Sequence, residues 1–256
     1  MTAFTIALVS AVCIFSGVLL GLWLQTLLPN HHLTSDSKDT IKLGAGLLAT
    51  LSALVLGLLV SSAKSSFDTM NAEVTQGAAN LVYLDRVLAD YGPETKAARE
   101  FLRANTVAGI ATIWPEEKLS TERASGLSAF EKMNGMELLQ IKLLQLTPTN
   151  AVQRQMLMQA EGICQEQRQS RWVLIEQTQN KLPMPFLVML LFWLTALHFS
   201  FGLFAPRNAM VIAVMFTCAV SVSGAIFLIL EMNHPLSGLI KVSSAPMLKA
   251  LEHLGQ

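Results

Sequence analysis

The chain has 256 residues, of which 52% are hydrophobic and 14% are charged, with 18 basic and 18 acidic side chains and a mean hydropathy of +0.46. Soluble domains carry roughly 25% charged residues. This composition excludes a disordered chain and a nucleic-acid binder with a basic surface, and it argues against a soluble globule. The three cysteines have no paired spacing and predict neither a disulfide framework nor a zinc site.

Four uncharged apolar runs predict four transmembrane helices. The shortest has about 21 residues and would span ~31 Å as a helix, which matches a hydrocarbon core of ~30 Å. One Lys or Asp at the centre of a span would cost ~2.5–3.5 kcal/mol, so the absence of charge is physical evidence for insertion. The backbone in lipid must satisfy its own hydrogen bonds, which favours helices. The runs are residues 4–28, 43–63, 185–205 and 209–230.

The first run predicts a retained membrane helix, because it is too long for the core of a secretory signal and the first charged residue of the chain is Asp36. An even number of spans places both termini and residues 64–183 on one side. We expect an inner-membrane protein with cytoplasmic termini, although the charge bias close to the span ends is slight. Near the span ends, the expected cytoplasmic side has Lys64, Lys181 and Lys241, and the opposite side has Lys38, Lys42 and Arg207.

Residues 64–183 predict a helical, cytosolic domain. An apolar stripe at spacings of three and four predicts that the second span continues as a helix to Tyr91, before Gly92 and Pro93. The stripe comprises Phe67, Met70, Val74, Gly77, Leu81, Leu84, Leu88 and Tyr91. This stripe favours packing within the domain over oligomerisation. Further helices are expected over 94–113 and 149–180. The predicted organisation is a transmembrane hairpin at 1–63, the helical domain at 64–183, a second hairpin at 184–231 and a C-terminal tail at 232–256.

One face of the second span consists of small or weakly polar residues and leads to Lys64. Small side chains allow close helix–helix packing in lipid, and we favour that interpretation. The alternative is a pore lining, because such side chains leave room for water and ions, and both could hold in an oligomer. The face comprises Gly46, Thr50, Ala53, Gly57 and Ser61.

Few other side chains suggest chemistry. His198 lies near the middle of the third span, where an ionisable group is a functional candidate, although a hydrogen-bonded neutral imidazole is the commoner case. Glu231 closes the fourth span and is interpreted as an interfacial anchor. His31 and His32 are adjacent without a third ligand at helical spacing, so we predict no metal site. No catalytic fingerprint is present, and we predict neither an enzyme nor a cofactor.

Several motifs together resemble the bestrophin-like domain family, formerly a domain of unknown function, of mostly bacterial membrane proteins. One departure from the family is visible after Glu231. The family's sequence there resembles Leu-Asp-Arg-Pro-Phe, whereas this chain has Asn233 and His234 in place of the acid and the base. Residues 124–170 contribute little to the resemblance. The motifs include Ser-Asp-Ser-Lys-Asp at 35–39, Ala-Lys-Ser-Ser-Phe at 63–67, Tyr-Gly-Pro-Glu at 91–94, Phe-Gly-Leu-Phe-Ala-Pro-Arg-Asn at 201–208, Ala-Ile-Phe-Leu-Ile-Leu-Glu at 225–231 and Val-Ser-Ser-Ala-Pro at 242–246.

Bestrophins are oligomeric anion channels built from four-helix membrane subunits with a helical cytosolic part. The resemblance therefore implies a homo-oligomer in the lipid bilayer that conducts chloride or other small anions, without a nucleic-acid partner. A non-conducting membrane scaffold or sensor that acts through its cytosolic helices is the alternative, because a shared topology does not establish conduction. The polar candidates at span ends within the family's motifs are Lys38, Asp39, Lys64, Arg207 and Glu231.

Overall fold

The computed structural model describes residues 2–29, 35–117, 135–179, 184–236 and 238–256. His31 and His32 lie outside these residues, as does the expected domain boundary at 183. The chain forms two compact units. The membrane unit comprises Met1–Phe67 and Lys181–His234, and the helical unit comprises Asp68–Asn180 and Pro235–Gln256.

The described residues are helical, which confirms the all-α prediction with four transmembrane helices. The first, third and fourth predicted spans coincide with helices of sufficient length and hydropathy to within two residues at the ends. The second predicted span lies within a much longer helix that begins at Ser35. The helices are α1 (Ala3–Leu27), α2 (Ser35–Tyr91), α3 (Lys96–Ile113), α4 (Gly135–Leu144), α5 (Ala151–Gln179), α6 (Met184–Phe204), α7 (Ala209–Met232) and α8 (Ala245–His253).

The end of α2 lies where the sequence predicts it and has a clear physical cause. Gly92 has a φ of 137°, a left-handed conformation that L side chains rarely adopt, and Pro93 then opens a short 3₁₀ turn. The last carbonyls of α2 still need hydrogen-bond donors. The Thr95 hydroxyl donates to Leu88 O at 2.5 Å, and the Gln153 amide donates to Tyr91 O at 3.0 Å.

The core of the membrane unit depends on a close approach between α1 and α6. A Cβ on Gly17 would lie 2.8 Å from Thr195 O, and one on Gly21 or Gly202 would meet backbone atoms of the opposing helix closer still. Only glycine permits this separation, and dispersion contacts between close backbones stabilise helix pairs in lipid. Helix α7 packs against α1 as well. The buried core comprises Ile14, Leu187, Leu190, Leu194, Ala219, Ile226 and Leu230.

Helix α2 contributes one side of its membrane part to this core. Val55, Leu56 and Leu59 pack against the core cluster, and Ser52 and Ala63 are buried on the same side. The rest of that segment is largely exposed. The membrane unit therefore holds α2 by a single face.

The apolar stripe of the helical unit is buried inside that unit, as predicted. Met70, Leu84 and Leu88 are at most 1% exposed. Helix α5 contacts the same part of α2, since Gln167 Nε2 donates to Gly77 O at 2.8 Å. Helix α3 packs against α4 and α8, and α4 packs against α5.

The close contact at Gly21 predicts that a larger side chain at this position destabilises the protein. Gly21→Ala should lower the free energy of unfolding by about 2 kcal/mol, because the added methyl group meets the backbone of α6. Gly224→Ala on α7 is the matched control, since a Cβ there has no neighbour within 4 Å and alanine has the higher helix propensity. Thermal unfolding in detergent measures both, and equal stability of the two variants would contradict the assignment.

Candidate functional site

The small-residue face of α2 lies on the outside of the membrane unit. Gly46, Thr50, Ala53, Gly57 and Ser61 are all exposed, and the buried side of α2 lies roughly opposite. A Cβ built on Gly46 or Gly57 meets nothing within 4 Å among the described atoms. If this face packs against a helix, that helix is not among the described residues of this chain.

Charged side chains lie at both ends of this face. At about 100° per residue, Asp39, Lys42 and Lys64 fall within about 40° of Gly46 around the helix. Lys42 Nζ lies 3.3 Å from Asp39 Oδ1, with the side chains 67% and 71% exposed. The neighbouring Lys38 is half-buried and points further round the helix. An ion pair this exposed contributes at most ~1 kcal/mol, so other partners can compete for either charge.

The remaining polar candidates of the membrane unit make contacts within the fold. Arg207 Nη2 donates to Leu22 O at 2.9 Å and ties the turn between α6 and α7 to α1. The His198 ring is buried, its Nδ1 lies 2.8 Å from Leu194 O, and its centroid lies 6.1 Å from that of Phe201. Glu231 is buried in the last turn of α7. The contacts of Arg207 and His198 suit positioning of the helices.

A polar cluster holds the C-terminal segment of the helical unit, which the sequence suggested only as a tail. The Asp85 carboxylate accepts from Arg99 Nε and Nη2, both at 2.8 Å, and from Gly255 N at 3.0 Å. Arg99 Nη2 also donates to Gln256 O, and Arg103 donates to Leu254 O. The hydrogen bonds that Arg99 donates to the Asp85 carboxylate raise the pKa of Arg99. Bidentate charge-assisted pairs are among the strongest in proteins, so this cluster fixes α8 against α3.

The other end of the same segment is held at the C-terminus of α3. Trp114 Nε1 donates to Val242 O at 2.9 Å, and both residues are buried. Lys241 Nζ lies 2.5 Å from Glu116 Oε1, which lowers the pKa of that carboxyl, and Ser244 donates to Glu117. The signal in the sequence for this docking is that Arg99 and Arg103 lie four residues apart and so share one face of α3. That spacing does not predict which residues the two side chains bind.

The described residues offer little for metal binding or nucleophilic chemistry. They contain no group of three or more His, Cys, Asp or Glu that could hold a metal ion. Burial raises the pKa of the Cys164 thiol to about 12, so it remains protonated and unreactive at neutral pH.

The docking of α8 depends on Asp85. Asp85→Asn should cost about 3 kcal/mol of stability, because it leaves the largely buried Arg99 guanidinium without its counter-charge. Amides of residues 245–256 should then exchange with deuterium markedly faster. Asp90→Asn, an exposed position on the same helix, is the control and should exchange like the parent chain. Unchanged exchange in the Asp85 variant would contradict the role of the cluster.

Comparison with known proteins agrees with this architecture. No curated protein matches the chain. Crystal structures of two single-residue variants of a bacterial bestrophin homologue from Klebsiella pneumoniae superpose with a TM-score of 0.71 each, at 14% and 15% identity; the alignments cover 100% and 99% of this chain, and the same shares of theirs. A crystal structure described as a membrane protein gives a TM-score of 0.71 at 14% identity, over 98% of this chain and 96% of that one.

Identities this low establish a shared fold and nothing finer. The family model described as Bestrophin-like domain, however, matches residues 12–247. Because that match covers most of the chain, including parts of both units, the chain belongs to the bestrophin-like domain family.

Proposed function

We propose that the chain is one subunit of a homo-oligomeric passive channel for chloride or other small anions, located in the inner membrane with cytoplasmic termini. The small-residue face of α2 lines the pore in this assembly. The observation that carries the proposal is that this face, from Gly46 to Ser61, is exposed on the membrane unit and has no neighbour at its glycines among the described residues.

The character of that face does not suit contact with lipid tails. Many exposed positions elsewhere on the unit carry large apolar side chains, such as Trp23 on α1, Phe192 on α6 and Met210 on α7. Those side chains match the hydrocarbon of the bilayer. A face of glycine, alanine, serine and threonine instead leaves space for water and ions when several copies surround an axis.

The proposal that the channel conducts anions rests on family membership and on one lysine. Bestrophins are anion channels, and this chain belongs to the bestrophin-like family. Lys64 follows the face by one helical turn and is exposed. In a ring of subunits, a cation at that position concentrates anions at the mouth of the pore.

A bulky substitution on the face tests the pore. Gly57→Leu should lower chloride flux into liposomes several-fold, because the side chain occupies the space that the glycine leaves open. Gly224→Leu is the matched control, since that glycine is also exposed in a span with no neighbour within 4 Å, but lies on α7. Equal flux through the two variants would contradict a pore along α2.

The charge of Lys64 predicts selectivity. Lys64→Gln should reduce the permeability of chloride relative to sodium, because the mouth of the pore loses its positive potential. The reversal potential across a planar bilayer with a salt gradient measures this ratio. Lys249→Gln, an exposed position on α8, should leave the ratio unchanged.

The scaffold or sensor interpretation is the second candidate. The helical unit has an open groove of about 820 Å³ whose walls include Lys96, Arg99, Glu100 and Arg103, which offers a charged surface to a partner. Absence of chloride flux from intact, reconstituted oligomer would contradict the channel and favour this alternative.

A further inference from the structure

The membrane unit has an apolar groove between α2, α6 and α7. Its volume of about 550 Å³ is within the range of ligand sites in proteins. Ala45 and Ala49 line it on α2, Phe201 and Phe204 on α6, and Met215 on α7. Phe201 is exposed, so the groove opens on the surface of the unit, where a membrane lipid can reach it.

All three walls of the groove belong to the same end of the membrane unit. They come from the beginning of α2, the end of α6 and the beginning of α7, and these span ends share one side of the membrane. Lys42 directly precedes the uncharged run that begins at Leu43, and Ala49 lies seven residues, or ~10 Å, deeper. The groove therefore has a mouth at the level of the lipid headgroups and a body that extends into the hydrocarbon.

The body of the groove offers nothing to a polar ligand. Among the described residues that line it below Lys42, Ser200 has the one polar side chain. The Ser200 hydroxyl donates to Ala196 O of its own helix at 3.0 Å, so it does not need a further partner. A polar group placed in the body would lose its hydrogen bonds to water without replacement. The occupant of the body must therefore be apolar.

The mouth of the groove has the opposite character. Lys42 is the one charged residue among the described residues of the wall, and its side chain is largely exposed. Lys38 lies one turn nearer the water and within about 40° of Lys42 around α2, which places it on the same side of the helix. Val211, in the first turn of α7, also lines the groove, so the positive end of that helix dipole lies near the mouth. These features favour an anion there.

Asp39 weakens this preference without abolishing it. Its Oδ1 lies 3.3 Å from Lys42 Nζ, but Asp39 is about 60° further round α2, on the side away from the groove. Both side chains are largely exposed, and such ion pairs are weak. A lysine ammonium group has three donors, so Lys42 can keep this contact and still donate to a second anion.

We propose that the groove binds an acyl chain of an anionic phospholipid, with Lys42 donating to the headgroup phosphate. The lipid class follows from the layout of the groove, which joins an apolar body to a cationic mouth at the level of the headgroups. A zwitterionic lipid carries its own ammonium group beside the phosphate and gains less from Lys42. The inference goes beyond the proposed channel, because the site is the same whether or not the protein conducts ions.

Two other occupants each account for only one part of the groove. An apolar side chain from a second copy would fill the body, but it would give the cationic mouth no role. A free anion would use the mouth, but it would leave the apolar body unfilled. A phospholipid accounts for both parts with one molecule.

Headgroup preference is the first test. Native mass spectrometry of the full-length protein in detergent can follow binding of added dioleoyl-phosphatidylglycerol and dioleoyl-phosphatidylcholine, which have identical chains. The anionic lipid should bind about fivefold more tightly, since that is the factor that one lysine near a membrane surface contributes. Equal affinity for the two lipids would overturn the inference.

Two charge substitutions should move this preference in opposite directions. Lys42→Gln should bring the ratio of the two affinities close to one, because the phosphate loses its cation. Asp39→Asn should raise the ratio, because it removes the carboxylate that competes for Lys42 and repels the headgroup. Both side chains are exposed, so neither substitution disturbs the core. A ratio that is unchanged in both variants, or lowered in both, would overturn the inference.

The apolar body is tested with a filled groove. Ala49→Phe should weaken binding of both lipids several-fold, whereas Ala213→Phe should not, because Ala213 is exposed on α7 but does not line the groove. In the Ala49→Phe background, Lys42→Gln should have no further effect on the ratio. An equal effect of Lys42→Gln in both backgrounds would separate the lysine from the groove and overturn the inference.

The same spectra identify the other occupants. If Ala49→Phe lowers the fraction of oligomer but leaves lipid binding as in the parent protein, the groove belongs to a contact between copies and the inference is overturned. Displacement of the phospholipid by glycerol 3-phosphate would assign the mouth to a free phosphate ester, with the same consequence. Chloride flux enters none of these measurements, so failure of the channel leaves the lipid site standing.

Discussion

The close backbone contact between α1 and α6 is the constraint on which the membrane unit depends. Gly21 and Gly202 let the two helices approach to a separation that a single methyl group would prevent. Helix α7 completes the core against α1. Because α6 and α7 both pack on α1, α2 contributes only one face to the core. Its remaining surface is left for lipid, for ions or for another copy of the chain.

That division of α2 connects the packing to the proposed function. Its buried side carries Val55, Leu56 and Leu59, while the exposed side carries the small-residue face. A single chain leaves this face incomplete. In the proposed oligomer, the small-residue face of each copy lies around a common axis and lines the pore.

The helical unit is stabilised in a different way. Its apolar stripe is buried between α2 and the helices packed on it, and its C-terminal segment is held by polar contacts at both ends. The Asp85–Arg99 pair fixes one end, and Trp114 fixes the other through Val242 O. The Trp114 bond is buried and the Asp85–Arg99 bonds are partly buried. An unpaired polar group in such a place is costly.

The sequence by itself determined the four spans, the long α2 and its end at Gly92, because uncharged length, apolar periodicity and the chemistry of glycine and proline act locally. It also identified the small-residue face, but could not decide whether another helix of the chain covers it. Tertiary structure decided that the glycines used for close packing are Gly17, Gly21 and Gly202, and that the C-terminal segment docks on α3. Both results depend on contacts between residues 125 or more positions apart, and no local pattern records which distant surface a side chain will meet.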